Sequence, residues 1–357
     1  MKKPALLLSL LCFSPFVLVA AGQPLKWGNG MLKQDAAWYG SPEARAFADN
    51  ILLYQSAAGA WPKNTDLLLP ATTEAIDALQ RGGKADTIDN GATTLPLRFM
   101  ALVAAAGGDE RYAAAVRRGL DYLLAAQYAN GGFPQFFPLR SGYYDHITYN
   151  DGAMINALQV LRDVALARAP FQEIDAGRRA RAQDAVSRGL DCILRTQIRQ
   201  DGRPAVWCAQ YDEVTLVPAW ARKYEPPSLS GAESVGVVRF LLALENPSPE
   251  VVEAIEGAVA WFRSVAIAGK RLDRVKHDDG RTERVLVDDP AAPPLWARFY
   301  QLETNRPLYM DRDSQPVYDF HQIDYERRSG YDYHTDAPAT LLNRDYPAWQ
   351  ARRKKAP

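Results

Sequence analysis

The sequence predicts an all-α fold, an (α/α)3 toroid of repeated helical hairpins joined by long, irregular loops. The first observation is a segment that occurs three times. In each copy a glutamine ends a helical pattern, and a proline follows seven residues later. The glutamines of its three copies are Gln55, Gln127 and Gln197. The second observation is a recurring helix start, found at Asn90-Gly91-Ala92, Asp151-Gly152-Ala153 and Ser230-Gly231-Ala232. Segments that recur at a fixed interval indicate stacked units that share one core.

The individual elements follow from local signals. Residues 25–39 read as an extended lead-in, and Ser41-Pro42-Glu43 then supplies an N-cap, a proline at the first helical position and an early acid. The predicted helices that follow, in chain order, cover residues 42–55, 72–80, 87–106 and 109–127. In a ring of such hairpins, loops at like positions lie at the same end, so the repeated loops should gather on one face.

The stretch from Asn130 to Ala153 is predicted to be an ordered surface loop that carries a site. Its glycines and prolines exclude a helix interior. It is longer than an ordinary connection, and such loops are usually functional or disordered. Its many aromatic residues argue against disorder.

The first 21 residues are predicted to be a secretory signal peptide, followed by one catalytic domain over residues 22–357. Lys2 and Lys3 precede an apolar run, and small residues follow it at Ala20-Ala21-Gly22. A membrane anchor is the alternative, although the run is short and Ser14-Pro15 interrupts it. The expected location is secreted or periplasmic, where Cys192 and Cys208 could form a disulfide or stay as buried thiols.

The balanced charge gives no reason to expect nucleic acid or a membrane surface as partner, and a monomer is expected. The sequence has no phosphate loop, no GxSxG elbow and no metal-binding HExxH motif, and its four histidines are scattered, so a histidine-based zinc site is not expected. Asp89 and Asp151 stand near the first turns of two repeat-related helices. They suit helix capping, a calcium site made of hard oxygens, or the acid and base of a glycosidase.

A second group of candidates is basic and lies in the C-terminal third. Arg222 lies in a proline-bounded loop, and several later arginines alternate with tyrosines. Guanidinium groups grip carboxylates at two points, so an acidic saccharide fits this pattern. The alternative is a set of surface arginines paired with nearby acids, such as Asp311, Asp313 and Glu326.

Long motifs make the chain resemble the family-ten pectate lyases over about residues 25 to 350. They are WPKNTDL at 61–67, TIDNGATT at 87–94, GGFPQFFP at 131–138, YNDGAM at 149–154, ARKYEPPSLSGAES at 221–234, FYQLETNRPLYMDRD at 299–313 and YERRSGYDYH at 325–334. The resemblance implies an (α/α)3 toroid that cleaves polygalacturonate by β-elimination with calcium.

The resemblance also implies roles for single residues. Arg222 matches the base that removes the C5 proton, and Asp151 and Asp89 match acids at the calcium and the scissile bond. Residues implied to bind the substrate are Arg298, Arg312, Arg327, Lys63 and Asn150, the last two without a defined role. A hydrolase of acidic glycans that uses Asp89 and Asp151, and a saccharide-binding protein without activity, are the two alternatives.

Overall fold

The computed structural model describes residues 25–355, so the predicted signal peptide lies outside the described residues. The described chain is mainly helical, which confirms the predicted fold class. Its α-helices are α1 (Pro42–Leu53), α2 (Thr73–Arg81), α3 (Thr94–Gly107), α4 (Glu110–Ala126), α5 (Ala153–Ala165), α6 (Ala176–Thr196), α7 (Glu233–Leu242), α8 (Pro249–Ser264), α9 (Tyr325–Gly330), α10 (Ala337–Thr340) and α11 (Tyr346–Lys355). No helix among residues 25–355 combines the length and apolar character that spanning a membrane requires.

Three helical hairpins form the body of the toroid. Each consists of an inner and an outer helix packed together, in the pairs α3/α4, α5/α6 and α7/α8. The inner helices α3, α5 and α7 contact one another in succession, and so do the outer helices α4, α6 and α8. One core cluster runs through all three hairpins, from Met31 to Trp349.

The repeated glutamines join successive outer helices. The side-chain amide of Gln55, at the end of α1, donates to the carbonyls of Gly59 and Ala115, at 2.9 Å each. Gln127 bonds Gly131 and Ala185 in the same way, and Gln197 bonds Ala205 and Ala254. Each glutamine therefore holds both its own loop and the next outer helix, which is the physical reason for the repeat.

Glycine is required in two of these loops because the backbone passes close to the next helix. A Cβ on Gly59 would lie 2.4 Å from the carbonyl oxygen of Arg118, and one on Gly131 would lie 2.0 Å from that of Arg188. Both glycines also have a positive φ, of 97° and 92°. The close approach explains why Gly59 and Gly131 stand at like places in successive repeats.

Short antiparallel strand pairs connect the loops at the ends of the toroid. The pairs are β1 (Ile147–Thr148) with β4 (Gln210–Tyr211), β2 (Arg199–Gln200) with β3 (Arg203–Pro204), β5 (Leu229–Ser230) with β9 (Phe299–Tyr300), β6 (Lys270–Lys276) with β7 (Thr282–Asp288), β8 (Trp296–Ala297) with β12 (His334–Thr335), and β10 (Tyr309–Met310) with β11 (Pro316–Val317). A second, smaller core of mainly aromatic residues lies in the C-terminal third and includes Tyr224, Phe299 and Tyr331.

Two local predictions need correction. Residues 25–39 are not simply extended, since they contain 3₁₀ helices at Asn29–Leu32 and Ala36–Gly40. The helix predicted to open at Thr87 begins at Thr94, after a separate 3₁₀ turn at Asp89–Gly91. The open question about the cysteines is also answered, because Cys192 and Cys208 are both free and buried.

Candidate active site

Two 3₁₀ turns carry the predicted acids to neighbouring ends of the inner helices. The turns, Asp89–Gly91 and Asn150–Gly152, stand before α3 and α5 and contact each other. The two turns have the same backbone shape, but the aspartate stands at a different position in each. Asp89 is the first residue of its turn and is buried, whereas Asp151 is the second and is exposed. Asp151 therefore corresponds to Asn90, and both residues adopt the left-handed backbone that Asn and Asp tolerate.

Neither acid caps a helix. The N-caps of α3 and α5 are Thr93 and Gly152, and neither helix start receives a side-chain hydrogen bond from its cap. The capping interpretation of Asp89 and Asp151 is therefore wrong, and their carboxylates are available for another role.

The carboxylate of Asp89 is held by one cation and has one unsatisfied oxygen. The ammonium group of Lys63 lies 2.6 Å from Oδ2 of Asp89. Oδ1 is buried and has no hydrogen-bond partner among the described residues. A buried carboxylate oxygen without a partner is costly, which makes it a natural ligand position for a cation. The ammonium of Lys63 also lies 5.0 Å from the ring centre of Phe136, in the long aromatic loop.

Asp151 lies among other acids. Its side chain is 40% exposed, yet the protein around its carboxyl desolvates it and raises its pKa. The guanidinium of Arg298 opposes this effect, and the Glu233 and Asp89 carboxylates add to it. The amide of Asn150 donates to Oδ2 of Asp151 at 2.8 Å. Because the carboxylates near Asp151 repel one another, a bound cation would stabilise their ionised forms. The donors here are oxygens of the hard type that calcium prefers, so Asp89 and Asp151 fit a calcium ion.

Arg298 joins the Asp151 turn to the start of α7. Its guanidinium donates to Oδ1 of Asn150 at 2.9 Å and forms an ion pair with Glu233. Glu233 is buried and also accepts a hydrogen bond from the hydroxyl of Ser230. Arg298 and Asn150, both predicted to bind the substrate, are thus in direct contact. Glu233 was missed, although it follows the third Gly-Ala helix start directly.

Arg222 lies beside a buried carboxylate. Its guanidinium makes two hydrogen bonds to Glu225, at 2.8 Å through Nε and 2.5 Å through a terminal nitrogen. Glu225 is buried and also accepts a bond of 2.7 Å from the hydroxyl of Tyr331. The hydrogen bonds that Arg222 donates to Glu225 raise the pKa of Arg222 above its ordinary value. The pair is therefore partly buried, with Glu225 on its buried side.

The other two predicted arginines gather around Tyr224. Arg327 is buried and lies 4.3 Å from the ring centre of Tyr224, and Arg312 is exposed at 5.4 Å from it. Both pair with Glu326, so the predicted alternative of arginines paired with nearby acids holds in part. A cavity of about 500 Å³ adjoins them, and its lining residues are Tyr143, Ala221, Arg222, Lys223, Tyr224 and Arg312.

A ring of helical hairpins with acids at one end and a cavity lined by cations suits an enzyme that acts on acidic polysaccharides, although the fold alone does not imply that function. The chain belongs to the pectic acid lyase family, whose sequence model matches residues 55–342. The family-ten resemblance is thereby confirmed.

Solved structures agree with the family assignment. A family 10 polysaccharide lyase from Cellvibrio cellulosa is 36% identical, with a TM-score of 0.76 over 90% of this chain and 94% of that chain. An Asp-to-Ala variant of a family 10 polysaccharide lyase from the same organism, in complex with trigalacturonic acid, is 37% identical, with a TM-score of 0.75 over 86% and 94% of the two chains. Comparison with curated proteins gives no match. These likenesses confirm the (α/α)3 toroid and support pectate lyase activity for this chain.

Proposed function

We propose that this chain is an exported, calcium-dependent pectate lyase that cleaves polygalacturonate by β-elimination with Arg222 as the base. The observation that carries the proposal is the cavity lined by Arg222, Lys223 and Arg312, because three cations in one cavity suit a polyanionic saccharide. The trigalacturonic acid in the related complex supports this class of substrate. Export rests on the apolar segment that follows Lys2 and Lys3.

The reaction removes the proton on C5 of a galacturonate. The electron pair of the C5–H bond forms a C4=C5 double bond, the C4–O bond breaks, and the leaving oxygen takes a proton from solvent. Negative charge grows on the C5 carboxylate along this path. Arg298, Arg312 and Arg327 are proposed to bind substrate carboxylates, where hydrogen bonds stabilise that charge. Calcium, when bound, supplies a positive charge at the same carboxylate.

Chelation should abolish turnover, and added calcium should restore it. The reason is that a buried oxygen of Asp89 has no hydrogen-bond partner among residues 25–355 and the carboxylate of Asp151 is exposed, so both are open to a cation. The measurement is the ultraviolet absorbance of the unsaturated product, with polygalacturonate as substrate, before and after exhaustive treatment with EDTA. Full activity in chelator would contradict the calcium requirement.

The same assay separates the proposed lyase from its alternatives. A hydrolase that uses Asp89 and Asp151 would shorten polygalacturonate and give reducing ends without the unsaturated chromophore. A saccharide-binding protein would leave the chain length unchanged. The purified protein is expected to form unsaturated products from polygalacturonate. If none form, the proposed β-elimination is wrong.

Arg222 can act as a base only as the neutral guanidine, and Glu225 opposes that form. Because Glu225 raises the pKa of Arg222, the rate should climb toward alkaline pH. Glu225→Gln removes the negative charge but keeps the shape, so the pKa of Arg222 should fall and the rise in rate should move to lower pH. The pH–rate profiles of both proteins on one oligogalacturonate, each first checked for folding, measure this shift. An unchanged profile would mean that the alkaline limb belongs to another group.

A further inference from the structure

The outer end of the β1/β4 ribbon brings one imidazole and two carboxylates together. Ile147 of β1 pairs with Tyr211 of β4 in antiparallel register. Asp145 and His146 directly precede β1, and Glu213 lies in the turn two residues beyond the end of β4. One ring nitrogen of His146 and one carboxylate oxygen from each acid lie within 4.8 Å of one another, and all three residues are partly buried.

The charges in this cluster are not balanced by the protein. Two neighbouring carboxylates repel each other when both are ionised. Within residues 25–355, neither Asp145 nor Glu213 forms a salt bridge with a Lys, Arg or His. Nδ1 of His146 is buried and has no hydrogen-bond partner in the same part of the chain. Two carboxylates and an imidazole with one unsatisfied nitrogen thus belong to the same cluster, and no Lys or Arg among residues 25–355 pairs with either acid.

The backbone under the cluster is held in place by side chains from the preceding loop. The hydroxyl of Tyr128 donates to the carbonyl of Asp145 at 2.6 Å. The amide of Asn130 donates to the carbonyl of Glu213 at 2.7 Å. The backbone at both acids is therefore held by the same loop, at Tyr128 and Asn130.

From this geometry we propose a second divalent-cation site, formed by Asp145, His146 and Glu213, that takes a zinc-type ion. An imidazole nitrogen with two carboxylate oxygens is a donor set for zinc and its neighbours among the transition metals. Asp89 and Asp151, by contrast, offer oxygen only, which suits calcium. The two sites thus differ in donor chemistry as well as in position.

The proposed ion would connect two segments that border the cation-lined cavity. Asp145 follows Tyr143, which lines that cavity, and Glu213 precedes the loop of Arg222. A bound ion would hold these segments at a fixed distance and so position Arg222 against the substrate. The three ligands are therefore positioning residues for the lyase reaction, whereas the binding of the ion itself does not depend on that reaction.

Titration calorimetry with zinc chloride tests the site without substrate. The protein is first stripped with chelator and then saturated with calcium, so that the all-oxygen site is occupied. One equivalent of zinc should bind and should raise the Tm of the protein. His146→Ala and Glu213→Gln should each weaken zinc binding by about 100-fold or more, since loss of a residue that only supports a metal ligand already costs 10–100-fold.

His277→Ala is the matched control. His277 lies 2.8 Å from Glu283 on the β6/β7 hairpin and offers one imidazole and one carboxylate, but it is outside the cluster. Its replacement should leave the zinc isotherm unchanged. Glu213→Gln keeps the shape of the side chain, so it decides the question if His146→Ala unfolds. No zinc binding to the wild type, or wild-type affinity for zinc in both cluster variants, would overturn the proposal.

Discussion

Arg222→Lys should lower kcat on a defined oligogalacturonate by about 10²–10⁴-fold, the range credited to a positioned general base. Lysine keeps the positive charge but has neither the reach nor the planar fork of arginine. A base must lie within hydrogen-bond distance of the proton it removes, so a shorter and differently shaped side chain loses the reaction even if substrate still binds. KM should therefore change much less than kcat.

The control for this substitution is Arg168→Lys. Arg168 also pairs with a glutamate, at 2.8 Å from Glu245, but it lines a different cavity from Arg222. Its replacement should leave kcat and KM near the wild-type values. An Arg222→Lys enzyme within tenfold of wild type in kcat would show that Arg222 only binds substrate. The base would then have to be sought among the other groups near the cavity.

The repeat made much of this fold predictable from sequence. Gln55, Gln127 and Gln197 recur because each holds a loop to the next outer helix, and that local requirement is visible as a spacing. The position of the acids could be predicted for the same reason, since the turns before α3 and α5 have the same shape. The one-residue difference between Asp89 and Asp151 within those turns decides which acid is buried, and it could be read only from the structure.

The partners of the functional residues could not be predicted, because they come from distant parts of the chain. Arg298 contacts Asn150 and Glu233, which lie 148 and 65 residues earlier in the chain. His146 is isolated among the histidines of the sequence, yet β1 and β4 bring it beside Glu213. Spacing along one helix or loop carries no information about such contacts, which depend on how separate elements pack.

The burial of Arg298 leads to the second large effect, a loss of stability in Arg298→Ala of about 3–5 kcal/mol. The side chain of Arg298 is only 12% exposed and that of its partner Glu233 only 4%, so removal of the arginine leaves a carboxylate buried without its ion-pair partner. Arg312→Ala is the matched comparison, because Arg312 is 64% exposed and its pair with Glu326 is worth about 0–1 kcal/mol. Both variants should also bind polygalacturonate more weakly, by about 1.5–3 kcal/mol for each lost charge-assisted contact.

Urea unfolding of the two arginine variants separates the role of Arg298 in folding from its role in binding. The midpoint should fall steeply for Arg298→Ala and hardly at all for Arg312→Ala. If the uncompensated charge of Glu233 is the cause, the double variant Arg298→Ala with Glu233→Gln should regain part of the lost stability, because glutamine carries no charge to bury. It should not regain substrate affinity, since the guanidinium that is proposed to hold the substrate carboxylate is still missing. Equal midpoints for the two single variants would show instead that the toroid tolerates an unpaired Glu233, and that Arg298 serves the substrate alone.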